Sequence, residues 1–270
     1  MKSDLKSKSL INKLFKFADD TNLLVPEFTD TDMKDEFDAI LSWATVNKML
    51  LNMTKTKELV FHRPSPNNYL PPIPLCDIEL AREAKLLGIY FSATFSMESH
   101  VNYILRICAQ RVYLLKLLRK QGLSALHMNT VFYALIRSII LYAVPSFYNL
   151  LSGSHIERID TFLRRMSRCG YTNNLFVFHD IVKVIDAILF EKIIRPTHCL
   201  HHLLPPVKPH LGLSPKETHI FFLCASRIYL GIRSLHVVCL NSCDCVFIFI
   251  FTLYCSLFSH LYVGSVCLLD

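Results

Sequence analysis

Residues 10–25 read LINKLFKFADDTNLLV, two apolar runs on either side of a pair of carboxylates. The second run can pair back on the first as a β-hairpin with Asp19 and Asp20 at its turn. Further along, Phe37, Ile40, Leu41 and Ala44 recur at helical spacing within residues 33–51, with Thr31 or Asp32 as N-cap and acids in the first turn. Leu59, Val60 and Phe61 make a short strand. The prolines from Pro64 to Pro74 then exclude helix and central strand, which predicts a surface loop. LCDIEL and AKLLGIYF follow as a second hairpin turning near Arg82 and Glu83.

Beyond this the hydrophobic period becomes helical. Ser96 is the expected cap of a long helix whose stripe is Val101, Ile104, Leu105, Cys108, Val112 and Leu115, and Gly122 ends it. Residues 126–150 are apolar almost all round, as in the central helix of a bundle. A third helix is expected from Ser154 with Glu157 completing a capping box, burying Ile159, Phe162 and Met166 and exposing Arg158. Residues 180–194 give a fourth amphipathic helix.

The 270 residues are 52% apolar, enough for a real core. The seven glycines never lie closer than 17 residues, which excludes GxGxxG and P-loop phosphate cradles and hence a nucleotide-cofactor domain. The net charge of +7 is concentrated in the middle: residues 100–170 carry ten basic and two acidic side chains. A field of that kind suits RNA, DNA or an anionic membrane surface, and it also suits a solvated basic face. On the binding reading, Arg106, Arg111, Lys116, Arg119, Lys120, Arg164, Arg165 and Arg168 track a phosphate backbone.

The start MKSDLKSKSL has no signal-peptide core, and the ten cysteines are irregularly spaced, so an intracellular, reducing location in cytoplasm or nucleus is expected. Cys239, Cys243 and Cys245 lack zinc-site spacing, and His198, His201 and His202 read as a helix end. Residues 245–269 contain no charged side chain; they read either as a tail anchor, giving membrane association, or as an adventitious apolar tail.

The order Phe17-Ala18-Asp19-Asp20-Thr21, a helix ending in Trp43 and Asn47, Leu51-Asn52, then Lys55-Thr56-Lys57 and an apolar strand resembles the end of the palm of reverse transcriptases from LINE-type, non-LTR retrotransposons. Lys85-Leu86-Leu87-Gly88-Ile89 resembles the hairpin leading out of that palm. His100-Val101 through Leu117-Leu118-Arg119, and Ser138 to Tyr142, resemble the helical region that follows. The resemblance spans residues 10 to about 205 and implies RNA-directed DNA polymerase ancestry.

By that resemblance Asp19 and Asp20 are metal ligands for Mg2+ or Mn2+, and Lys55 lies in the segment that approaches the nucleotide phosphates. The family's further carboxylate comes from a strand about a hundred residues upstream of the acidic turn, and only 16 residues precede Phe17 here. A truncated, inactive fragment with no productively bound metal is therefore expected. The implied fold is α+β: a partial polymerase palm (1–92) of two β-hairpins and a helix, a basic, thumb-like helical bundle (93–205), and a linker with apolar tail (206–270). Its strands are expected to leave open sheet edges. A non-catalytic nucleic-acid-binding module and a tail-anchored membrane protein are the alternatives. Residues 105–170 also look similar to a module catalogued beside AlkB-type dioxygenases, but no His-x-Asp pair is present for an iron triad, and that activity is not implied.

Overall fold

A computed structural model of the chain describes residues 4–17, 20–62, 72–201 and 204, together with the strands 234–238 and 264–269. It is a mixed α+β protein in two units: Met1–Phe95 with Leu203–Asp270, and Ser96–His202.

In the first unit, β1 (Lys13–Phe17) and β2 (Asp20–Pro26) pair antiparallel with Phe17 opposite Asp20. Residues 18 and 19 join them and lie outside the described residues. The hairpin is as expected, with one correction: Asp20 belongs to β2 and is 1% exposed, where an exposed turn residue had been anticipated. Asp32 caps α1 (Met33–Val46), its carboxylate accepting from Asp35 N at 2.8 Å. Met33, Phe37, Ile40 and Ala44 form the buried face. The helix ends five residues before the expected 51, where Lys48 takes a positive φ of 55°.

α1 leads to β3 (Lys57–His62), in which Leu59, Val60 and Phe61 are all buried. Consecutive buried apolar residues mark strands covered on both faces, and each such side chain contributes roughly 1.5–3 kcal/mol. β4 (Glu79–Ala81) pairs parallel to β3, with Lys57 opposite Glu79. The second hairpin is β5 (Glu83–Leu86) with β6 (Ile89–Ser92). Its turn is Leu87-Gly88, not Arg82-Glu83, because both turn residues carry positive φ, 46° and 88°, the primed geometry that matches strand twist. LCDIEL thus serves β3 rather than a hairpin of its own. Most of the proline segment, residues 63–71, falls outside the described residues.

Two strands from the C-terminal region complete the larger sheet: β7 (Ser234–Val238) and β8 (Gly264–Leu269). Each pairs antiparallel with both β2 and β3. β2 and β3 therefore run parallel, joined through α1 as a β-α-β crossover with an intervening strand position. The open edges expected beside β2 and β3 are filled here, because unpaired backbone donors and acceptors are costly. Of the apolar stretch 245–269, only the β8 residues are among those described.

The second unit starts with α2 (Glu98–Lys120). Its stripe is buried at Val101, Ile104, Cys108 and Leu115. Ser96 is not its N-cap; Met97 holds that position without a side-chain bond. Gly122, at φ 87°, ends it as expected, its N–H donating to Arg119 O. The expected 126–150 helix is broken. It comprises α3 (Ala125–Phe132), a π-helical turn over Tyr133–Arg137, α4 (Ser138–Leu141), α5 (Val144–Phe147) and a 3-10 turn at Tyr148–Leu150. Ala143 at φ 51°, just ahead of Pro145, makes the break. Taken together, 125–150 is long and apolar enough to cross a membrane by length and composition; Phe132, Ile136, Ile140, Val144 and Phe147 along it are buried in the protein.

α6 (Gly153–Arg168) and α7 (Phe178–Ile193) complete the unit. The capping box of α6 is Ser152 with His155, not Ser154 with Glu157, because only Ser152 Oγ lies within reach of His155 N, at 3.3 Å. α7 has a cap from another helix: the buried Asp160 accepts from Phe178 N at 2.7 Å.

Candidate nucleic-acid interface

The two ends of α2 are pinned differently to α6. At the N-terminal end Glu98 accepts from Arg158 at 2.8 Å and lies 2.8 Å from His155 Nε2, and Arg158 also reaches Asn102. These bonds hold the Glu98 carboxyl below the usual Glu range, His155 contributing most and Arg158 next. At the C-terminal end Arg119 donates to Cys169 O and, at 3.0 Å, to Tyr171 Oη, with its guanidinium 4.4 Å from the Tyr171 ring centre. α2 and α6 therefore lie side by side with the same polarity, and their C-terminal ends meet.

That meeting point gathers cations. Lys116 and Lys120 lie near the end of α2, and Arg165 and Arg168 in the last turn of α6; all four are exposed. None of their side chains makes a hydrogen bond or ion pair with another described residue. Cations at helix C-termini also offset the carbonyl end of the macrodipole, which accounts for part of the arrangement without any ligand. Tyr113 and Leu117, two turns and one turn back on α2, are exposed at 67% and 41%.

The other four expected phosphate contacts are engaged within the protein. Arg111 donates to Leu135 O at 3.0 Å, serving a carbonyl of the π-helical turn. Buried Cys108 does the same for Ile136 O at 3.9 Å, and burial pushes its thiol up to about 12, which makes it inert. Arg119 is the clamp just described. Arg164 is paired with Glu157, and Arg106 lies 5.8 Å from the Tyr103 ring centre. Sequence periodicity places these arginines off the apolar stripe, and only the folded neighbours show what they hold.

The acidic turn is less fully described. Asp19 is outside the described residues, and Asp20 is sequestered in β2. Lys55 is exposed in the turn before β3, its N–H donating to Asn52 O at 3.1 Å. Asp4 accepts from Trp43 Nε1 at 3.1 Å, a bond that lowers its carboxyl below the ordinary Asp value. Among the described residues no three His, Cys, Asp or Glu side chains come together as a metal site. His198 and His201 are spent on the helix end, on Leu200 N and Ile193 O; His202 lies outside the described residues.

Two buried carboxylates were not legible in the sequence. Glu36, on the acidic first turn of α1, accepts from Lys8 N, Ser9 N and Asn12 Nδ2, each at 2.9 Å. Glu58, within β3, accepts from Leu75 N at 2.9 Å, and desolvation raises its carboxyl above the usual Glu range. Compared with known protein families, with characterised proteins and with solved structures, the chain matches none.

Proposed function

We propose that residues 10–205 are the closing part of a LINE-type reverse transcriptase and that these 270 residues by themselves do not polymerise. The observation that carries the reading is the register Phe17 to Asp20, which brings Phe17-Ala18-Asp19-Asp20 to a hairpin with a two-residue connection, followed in order by α1 and β3. Two-metal phosphoryl transfer needs carboxylates on both cations and an open approach for nucleophile and leaving group. Asp20 is buried in β2, which denies its carboxylate that open approach. The chain, given a primed RNA template, nucleotides and Mg2+ or Mn2+, is expected to extend nothing. Template-dependent incorporation abolished by Asp19→Asn would overturn this.

A second reading is favoured by Lys116, Lys120, Arg165 and Arg168, four exposed cations without internal partners at one end of α2 and α6. Phosphate attraction does not need the acidic turn. On this reading the helical unit binds single-stranded RNA or DNA, with Tyr113 available for stacking. Binding should be sequence-tolerant and weaken steeply with added salt; binding indifferent to salt rejects it.

A further inference from the structure

We propose that Arg137, which no sequence pattern singles out, is a further phosphodiester contact of the helical unit; the inference rests on the nucleic-acid reading above. Arg137 closes the π-helical turn and lies against an edge-to-face pair of rings, 4.8 Å from the centre of Tyr133 and 5.4 Å from that of Phe176. It is half-buried, and its Nε is fully buried with no acceptor among the described residues. Arg111 and Arg119 each reach a backbone carbonyl, and Arg158 and Arg164 each reach a carboxylate.

Arg137 has only π faces. Rings offset part of the cost of desolvating a cation but satisfy none of its N–H donors. The buried Nε is beyond a ligand's reach, but the two Nη groups make no hydrogen bond with another described residue, and that end of the planar fork is shaped for an oxyanion. The segment after α6 leads to it from the cationic end. Tyr171 stacks on Arg119, Thr172 donates to Asn129 at 2.8 Å, Asn174 donates to the Tyr133 hydroxyl at 2.7 Å, and Phe176 meets Arg137. Asn129, Tyr133 and Arg137 recur at four-residue intervals, and the segment that starts at the cationic end touches each of them.

The test uses the full chain, a labelled single-stranded 20-mer RNA read by anisotropy over a salt series, and thermal unfolding in parallel. Arg137→Gln should weaken binding about tenfold, as loss of a charged hydrogen-bonded contact does, and reduce the salt slope by about 0.7. Arg137→Lys keeps a cation without the fork and should restore the slope but only part of the affinity. If both variants lower the unfolding midpoint and leave affinity and slope unchanged, Arg137 is only a stacking brace and the proposal is wrong while the nucleic-acid reading stands. If the unaltered chain binds no RNA in low salt, both fall together.

Discussion

Glu36 is the side chain that ties residues 8–12 to α1. Its carboxylate takes the Lys8 and Ser9 N–H groups and the Asn12 amide. Glu36→Ala removes the acceptor for all three and leaves buried donors unmet, at a cost of about 2 kcal/mol and a Tm lower by about 5 °C in the unit that contains it. A thermal scan showing no change would contradict that role. Glu58 acts through its ionisation. Its folded pKa is raised by burial, so the folded state favours the protonated form: Glu58's contribution to stability is fully present below the usual Glu range and is lost as pH rises through the folded value. Glu58→Gln should flatten that part of the pH–stability curve, and an unaltered curve would show that the burial has no energetic consequence. Neither residue was legible, because a Glu on a helix or strand looks the same in sequence whether it faces water or a set of backbone N–H groups. Asp20 was legible as part of an acidic pair but not as buried, since burial depends on what pairs beside β2.

At the level of elements, the sequence pattern was most informative where one period persisted. The stripe Val101, Ile104, Cys108 and Leu115 and the Gly122 stop locate α2. It was least informative at boundaries set by distant neighbours. Ser152 and Ser154 are both plausible caps, and the choice is made by His155, which reaches back to Ser152 N at 3.2 Å while facing Glu98 on α2. The break in residues 125–150 did have a signal: Pro145 cannot continue a helix from its preceding turn, and hydropathy alone conceals it. The π-helical turn had none, since its carbonyls are served by Arg111 and Cys108 from another helix. The Glu98 staple makes a pH prediction. Its carboxyl is held low, so its contribution is present above the usual Glu range and is lost as pH falls through the folded value. Unfolding midpoints of the unaltered chain and Glu98→Gln should differ at neutral pH and converge in acid; a difference that persists in acid would show that charge is not what the staple uses.

Across the whole molecule, the α+β class and the change of character near residue 95 were readable from the switch of period and the run of positive charge. What residues 234–238 and 264–269 do was not readable, because strand pairing across some two hundred residues leaves no local trace in an apolar tail. The charge excess was readable as a total but not in its allocation. Arg111 and Arg119 reach carbonyls, Arg164 a carboxylate and Arg106 a ring, while the side chains of Lys116, Lys120, Arg165 and Arg168 make no hydrogen bond or ion pair with another described residue. On the nucleic-acid reading proposed above, binding falls to a small cationic end rather than to a basic face.

The most direct test compares the salt dependence of single-stranded RNA binding by the full chain with that of a variant carrying Gln at those four positions. Counterion release predicts that the variant loses about 0.7 units of logarithmic slope for each phosphate contact removed, approaching three in all, with the largest loss of affinity in low salt. Equal slopes for the two proteins, or a larger loss on replacing the internally bound Arg111 and Arg119 at unchanged Tm, would contradict the assignment.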